Sequence, residues 1–217
     1  MTNTITSIPY PTLRRYPLYI QVIENLLEQD KTHVSSSYIA KILGKEAIQV
    51  RKDLAYSKIV GQPRIGFPLK DLKEKIYDML GWNNTHDAFL VGAGNLGVAL
   101  SGYSKFEDYG LNILALFDTQ EDKIGTKAHG KEIFHINKIA DLVARFHVNI
   151  GILAVPGDVA QEVTDIMIDA GINCIWSFSN RKLIVPENVI VEQVNLAASL
   201  AVLHNKMKRR AGNNNGS

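Results

Sequence analysis

Val91-Gly92-Ala93-Gly94-Asn95-Leu96-Gly97 lies mid-chain, between the apolar run Ala88-Phe89-Leu90-Val91 and the helix-forming Val98-Ala99-Leu100. The first run reads as a buried parallel strand and the second as the opening of a helix. A Gly-x-Gly-x-x-Gly pattern in that strand–turn–helix setting is a dinucleotide fingerprint. Gly92 permits the tight turn, Gly94 lets backbone approach a pyrophosphate, and Gly97 lets helix and strand pack closely. Ala93, Asn95 and Leu96 complete the loop, whose helix N-terminus faces the anion. A second strand, Ile113-Leu114-Ala115-Leu116-Phe117, ends at Asp118. An acid about 20 residues past the glycines accepts hydrogen bonds from both adenosine ribose hydroxyls and repels a 2′-phosphate. The expected cofactor is therefore NAD(H) rather than NADP. The bland alternative is a glycine-rich turn in an α/β fold whose site is never filled.

Downstream of Asp118 the pattern alternates. Lys123-Ile124-Gly125 follows a turn, and Glu132-Ile133-Phe134 is strand-like. Ile136 to Phe146 is helical, Ile150 to Val155 is a strand stopped by Pro156, and Asp158 to Ala170 is a helix stopped by Gly171. Cys174 to Phe178 and Val189 to Glu192 are further strands. This alternation predicts a Rossmann-type, doubly wound parallel sheet with ligands at the C-terminal strand ends. Val155-Pro156 and Phe178 fall at such ends and are expected near the nicotinamide. The last helix, about Asn195 to Arg210, carries an apolar stripe of Leu196, Leu200, Leu203 and Met207. With little of its own domain left to cover, it either folds back on the sheet or docks on a partner.

Upstream, residues 1 to about 12 are polar, with Pro9 and Pro11, and are expected to be disordered. Leu18, Val22, Leu26 and Leu27 mark a first helix over Leu13 to Gln29. Any of Ser35, Ser36 and Ser37 caps a second helix, Tyr38 to Leu43, which Gly44 ends. Ala47, Val50, Leu54 and Tyr56 mark a third. Gly61, Pro63, Gly66 and Pro68 then make a turn between two short extended pieces, and Leu69 to Leu80 is a fourth helix. Three helices with a tight turn before the third, then a hairpin, describe a winged helix-turn-helix. The third helix fits a major groove: Arg51 and Lys52 reach phosphates or guanine edges, Gln49 reads adenine, and Arg64 on the wing enters the minor groove. The candidate DNA contacts are Ser36, Gln49, Arg51, Lys52, Tyr56, Lys58 and Arg64. A basic-faced helical bundle that docks proteins is the plain alternative. The expected domains are residues 1–84, 85–194, a C-terminal helix over 195–210 and a disordered tail over 211–217.

Of the 217 residues, 46% are apolar and 21% charged, with a formal charge of +2. So small an excess identifies no polyanion partner; the clustering of Arg14, Arg15, Lys41, Lys45, Arg51, Lys52, Lys58 and Arg64 in the first third says more. Lys206, Lys208, Arg209 and Arg210 form a second basic cluster. The single Cys174 excludes an internal disulfide and is expected to be a buried, inert thiol. No His/Cys/Asp cluster has metal-ligand spacing. No run is long enough to span a membrane and no signal peptide opens the chain, so the expected compartment is the cytoplasm.

The order of parts resembles the Rex family of NADH-responsive transcriptional repressors from about Leu13 to Met207. Gln49-Val50-Arg51-Lys52-Asp53-Leu54-Ala55-Tyr56, the Val91–Gly97 loop and Leu183-Ile184-Val185-Pro186 carry the resemblance, with Tyr103, Phe106 and Phe117-Asp118. It implies a homodimer whose C-terminal helices swap, palindromic operators, and release of DNA when NADH closes the dimer. Tyr103 joins the implied cofactor contacts, and Leu196, Leu200 and Leu203 the dimer contacts. The chain departs from the family at Ser57-Lys58, where Phe-Gly is usual, and in the wing Pro63-Arg64-Ile65-Gly66-Phe67, where Arg-Gly-Val-Gly-Tyr is usual. Ser177-Phe178-Ser179-Asn180 replaces Asn-Phe-Ala-Pro. Gln21 and Asn195 stand where the family has an arginine and an aspartate that pair in the closed form. Losing both charges leaves a neutral pair: either this is neutral drift of a surface contact in a regulator that still couples the NADH/NAD+ ratio to operator release, or the redox response is weakened or lost in one that still binds DNA.

An NAD-dependent dehydrogenase is the competing reading. Hydride transfer needs a proton-moving group, and none of His129, His135 and His147 adjoins Val155-Pro156 or Phe178. His33 and His204 lie outside the nucleotide domain and His86 precedes its first strand, so catalytic residues are expected to be absent. A nucleotide- or CoA-binding scaffold without DNA binding is the remaining reading.

Overall fold

A computed structural model describes residues 8–214. The chain divides between Asn84 and Thr85 into two units.

The first unit is helical. Helices α1 (Tyr10–Leu13), α2 (Tyr16–Leu27), α3 (Ser36–Leu43), α4 (Ala47–Ala55) and α5 (Leu69–Leu80) enclose one core. Of the three serines, Ser35 is the cap: its hydroxyl accepts the Tyr38 N–H at 3.0 Å, and Ser36 begins the helix. Gly44 ends α3 in the left-handed region, φ 60°, as a C′ glycine does. The turn Gly44-Lys45-Glu46 then feeds α4, giving the helix-turn-helix.

Three expectations change here. Tyr10 to Leu13 is helical rather than disordered, and Thr12 is buried; residues 1–7 lie outside the described residues. The buried face of α2 is built on Tyr16, Tyr19, Ile20 and Ile23, while Leu18 is exposed. The two tyrosines pack inward because each hydroxyl finds a partner there, which makes burial of the polar tip tolerable. The wing is also smaller than expected. Between α4 and Gly66 there is no strand, only an isolated pairing of Gln62 with Gly66 around Pro63-Arg64-Ile65. The strand β2 (Phe67–Pro68) instead pairs antiparallel with β1 (His33–Val34), a two-residue strand too short to show periodicity. Gly66, at φ 104°, lies where a Cβ would stand 2.4 Å from the Val34 carbonyl oxygen, so only glycine closes the wing there.

The second unit is an α/β sheet of seven strands in the order β5-β6-β4-β3-β7-β8-β9. The strands are β3 (His86–Val91), β4 (Leu111–Asp118), β5 (Lys127–Ala128), β6 (Lys131–His135), β7 (Ile150–Leu153), β8 (Cys174–Ser177) and β9 (Ile190–Gln193). Helices α6 (Asn95–Ser101), α7 (Lys105–Asp108), α8 (Ile139–Phe146), α9 (Ala160–Asp169) and α10 (Leu196–Asn214) complete the unit. The two-residue period of β3 splits its side chains between two cores. Phe89 and Val91 join Phe117, Val143 and Met167 on one face; Ala88 and Leu90 join Ile113 and Leu116 on the other, beside Val98 and Phe106. A strand buried on both faces reads as one apolar run, as Ala88 to Val91 does.

The sheet is not wholly parallel. β5 pairs antiparallel with β6 through His129 (φ 49°) and Gly130 (φ 81°), the two positive φ values a tight hairpin turn needs. Lys123 to Gly125 belongs to the turn that follows β4. β9 runs parallel to β8 without an intervening helix. The strand ending at Pro156 stops at Leu153, and Cys174 is half-buried rather than buried. Helix α10 continues through Asn214, past the expected start of the tail; residues 215–217 lie outside the described residues.

Candidate functional site

The glycine loop closes the C-terminal end of β3. Gly92 adopts φ 105°, and a Cβ there would stand 2.5 Å from the Ala154 carbonyl oxygen. A Cβ on Gly97 would stand 1.8 Å from the carbonyl oxygen of Gly92, so helix α6 sits on the loop backbone with no room for a side chain. Gly94 differs: its ideal Cβ meets open space. Two glycines thus serve the fold, and the third leaves a space beside exposed backbone, as a pyrophosphate cradle requires.

Asp118 ends β4 beside this loop. Its Oδ2 accepts the Ala93 N–H at 2.8 Å and the Lys123 ammonium at 3.3 Å; its Oδ1 accepts the Thr119 and Gln120 N–H groups at 2.8 and 3.0 Å. Burial opposes the charge, but the Gln120, Ala93 and Thr119 amides and Lys123 outweigh it and hold the carboxyl below its ordinary range. The acid is therefore ionised, an acceptor of hydroxyl hydrogen bonds.

A cavity of about 350 Å³ opens against both features, lined by Gly92, Gly94, Asp118, Val155 and Pro156 together with Lys123, Ile136, Val159 and Val163. The lining is mostly apolar with a few polar groups, Asp118 and Lys123 among them, the composition expected of a small-molecule site and suited to a ribose and a flat purine. The residues present fit an adenine dinucleotide. Asn95 and Leu96 are exposed in the first turn of α6. Two nominated residues lie elsewhere. Tyr103 borders a separate cavity of about 150 Å³ with His129 and Lys131, and Phe178 packs on Trp176 with ring centroids 4.8 Å apart. Lys123 and the apolar wall of Ile136, Val159 and Val163 were not nominated. Lys123 had a readable signal, a cation in the turn after the acid; the wall had none, because its residues converge only in the folded sheet. Among the described residues, no group of three or more His, Cys, Asp or Glu is placed to hold a metal ion.

In the first unit Arg51, Lys52 and Gln49 are exposed on α4, and Arg64 is exposed at the wing tip with φ 64°. Lys58 is exposed in the left-handed region, φ 58°, directly after α4, whereas Tyr56 is half-buried at its C-terminus and Ser36 is buried. The feature that sequence reading missed lies beneath them. Asp53, 1% exposed, receives hydrogen bonds from the Thr12 hydroxyl, both Arg15 Nε and an Arg15 terminal nitrogen, the Tyr19 hydroxyl and the Gln49 amide. Tyr16 donates to the Asp53 carbonyl at 2.9 Å. This buried acid ties α1 and α2 to α4. Burial opposes its charge, and the bonds from Arg15, Tyr19, Thr12 and Gln49 overcome that, so its carboxyl is held low. Helix α10 exposes Leu196, Leu200, Leu203 and Met207. The Asn195 Oδ1 accepts the Ala198 N–H at 2.9 Å and caps that helix, and Gln21 is exposed on α2.

A winged helix-turn-helix unit followed by a nucleotide-type Rossmann unit defines the class of two-domain DNA-binding proteins with a ligand-binding second half. Residues 83–181 match the family described as "CoA binding domain", and residues 7–55 match "Putative DNA-binding protein N-terminus". The chain is 41% identical over 203 residues to the redox-sensing transcriptional repressor Rex of Porphyromonas gingivalis, covering 94% of this chain and 93% of that protein. It is 41% identical over 193 residues to Rex of Treponema denticola, covering 89% and 92%. The Rex-family repressor RSP in complex with β-NAD+ and operator DNA matches with a TM-score of 0.86 and 33% identity over 95% of each chain. RSP in complex with β-NADH matches with a TM-score of 0.87 and 32% identity over 98% of this chain and 100% of that one. The chain belongs to the Rex family of redox-sensing transcriptional repressors. This places it among regulators rather than dehydrogenases.

Proposed function

We propose that this chain is a transcriptional repressor that binds NAD(H) in the Gly92–Asp118 cavity and couples the NADH/NAD+ ratio to release of operator DNA. The observation that carries the reading is the ionised Asp118 hydrogen-bonded to the glycine loop beside an open Gly94 backbone, on a chain whose first unit is a winged helix-turn-helix. The bound nicotinamide supplies the redox difference that is sensed. The protein's own residues supply recognition. Asp118 accepts the ribose hydroxyls, with the longer Lys123 contact yielding its lone pair. The amides around Gly94 face the pyrophosphate, and Ile136, Val159 and Val163 enclose the apolar part. Arg51, Lys52 and Arg64 supply the positive charge for phosphates and base edges.

Homodimer formation through α10 is part of the reading. A stripe of exposed large apolar residues along one helix is an interaction surface, and two-fold pairing matches a palindromic operator with two half-sites. Among the described residues no helix is long and apolar enough to cross a membrane; a cytoplasmic location belongs to the proposal. Coupling is reciprocal, so a ligand that weakens operator binding must itself bind the operator complex more weakly. The test is titration of NAD+ and of NADH, separately, against the free protein and its complex with a palindromic duplex. NADH should release the duplex and bind the complex more weakly than the free protein. Equal affinity of NADH for both would overturn the coupling.

A further inference from the structure

Gln49 stands in the first turn of α4, the part of a recognition helix that meets base edges, and its side-chain amide is hydrogen-bonded. Its Nε2 lies 3.0 Å from Asp53 Oδ1, one turn further along the helix. That oxygen also accepts from the Thr12 hydroxyl at 3.0 Å and from Arg15 at 2.8 Å, while Oδ2 accepts from Arg15 Nε at 2.6 Å and Tyr19 at 2.5 Å. With Arg15 bidentate on it, the carboxylate is an acceptor only. An amide can therefore approach it with its nitrogen end alone, since turning the amide would set Oε1 against an ionised oxygen. We propose that Asp53 is a specificity-determining positioning residue: it fixes the direction of the Gln49 amide and thereby the base that Gln49 accepts.

The consequence follows from the base edges. The amide has its Oε1 and its second N–H left to offer. Adenine satisfies both in the major groove, with its N6 amino group as donor and N7 as acceptor. Guanine offers only acceptors there, O6 and N7, and its O6 would oppose Oε1. The half-site base met by Gln49 is adenine, and guanine is the base most strongly rejected. This rests on the reading that α4 enters the major groove.

The experiment uses the full-length protein and palindromic duplexes carrying each base in turn at every half-site position. Gln49→Met keeps the length and loses both polar ends. At the one position where Gln49→Met flattens the preference, the wild-type protein should favour adenine over guanine by about tenfold or more. Asp53→Asn, whose side chain both donates and accepts, should let the amide turn and bring that ratio within about threefold. Should Asp53→Asn fail to fold, the Gln49 side-chain amide signals of the wild-type protein carry the same test. One of its two protons should be protected from exchange and the other not. A guanine or thymine preference at the Gln49-sensitive position, an Asp53→Asn protein with the wild-type ratio, or two equally exchanging amide protons would overturn the inference and leave the repressor reading standing. A protein that binds no palindromic duplex would overturn both.

Discussion

The carboxylate of Asp118 and the backbone amide of Ala93 are joined by a 2.8 Å hydrogen bond, so the end of β4 holds the glycine loop at the end of β3. The acid has two tasks: it shapes the loop, and it presents an ionised oxygen to the cavity. Asp118→Ala removes both. NADH and NAD+ affinity should each fall by about tenfold to a hundredfold, because charge-assisted hydrogen bonds to a hydroxyl are worth roughly 1.5–3 kcal/mol. Operator binding without nucleotide should persist. Calorimetric titration with each nucleotide, beside a duplex-binding measurement, reads the two effects apart.

The glycines of the loop separate stability from binding. A Cβ on Gly97 would lie 1.8 Å from the Gly92 carbonyl oxygen, whereas one on Gly94 meets open space. Gly97→Ala must shift backbone and should lower the melting temperature by several degrees. Gly94→Ala, at φ −80°, should leave melting unchanged and yet weaken NAD(H), since the methyl fills the space of the pyrophosphate. A Gly94→Ala protein with wild-type nucleotide affinity would move the phosphate site elsewhere.

Asp53 makes the first unit acid-sensitive. Its folded carboxyl titrates below the ordinary carboxylate value, so its stabilising contribution is present above the unfolded-state pKa of about 3.9 and is lost as pH falls through the lower folded value. The thermal stability of this unit should therefore decline below about pH 4. Arg15→Ala leaves the buried acid without its strongest partner. The full penalty for such a break is about 3 kcal/mol or more; with Arg15 at 21% side-chain exposure, roughly 2 kcal/mol is expected once solvent screening is allowed for. The variant's own acid decline should be smaller than the wild type's, because without Arg15 the folded carboxyl titrates closer to the unfolded value. Thermal unfolding across pH 3–8 for both proteins checks the direction.

Arg51 and Lys52 are exposed on α4 and, as phosphate contacts, act through counterion release. Replacing either by glutamine should reduce the slope of log affinity against log salt by about 1 per phosphate lost per half-site. If Arg51 instead holds a guanine edge, its replacement should also relax base preference at one position. Duplex binding over a salt series, on operators differing at single positions, distinguishes these roles.

The parts of the fold that were legible are those set by local pattern. Ala88 to Val91 with the three glycines fixed the strand, turn and helix; the Ser35–Ser37 run and Gly44 bounded α3, with the structure choosing Ser35 as the cap; Asp118 marked the acid. The parts that were not legible depend on distant residues. Tyr16 and Tyr19 look like surface aromatics until Asp53 and its neighbours supply partners for their hydroxyls. Asp53 itself sits inside a basic helix, where an acid reads as one more solvated charge. The strand His33–Val34 is defined by Phe67–Pro68 across the sheet, not by its own two residues. Ile136, Val159 and Val163 come from three separate elements, and no spacing joins them. Tyr103, implied by resemblance, borders a second cavity, and Phe178, placed by its strand end, joins an aromatic stack with Trp176 rather than the lining of the Asp118 cavity.

Helix α10 supplies the last test, and it bears on assembly. Leu196, Leu200, Leu203 and Met207 recur at helical spacing and are all exposed, while every described residue of α10 through Arg210 is exposed as well. Leaving such a stripe in water forgoes roughly 1.5–3 kcal/mol per large side chain that a partner surface would bury. The proposed partner is a second copy, because two-fold pairing presents two α4 helices to two half-sites. Leu200→Glu places a charge in the middle of the stripe without touching the Asp118 cavity or α4. Sedimentation should then show a monomer at micromolar concentration, and affinity for a full palindrome should fall to that for a single half-site. The Gly94–Asp118 cavity is formed within one chain, so NAD(H) binding should survive, although its effect on DNA should disappear. A Leu200→Glu protein that stays dimeric and releases DNA with NADH as the wild type does would show that the stripe is not the interface.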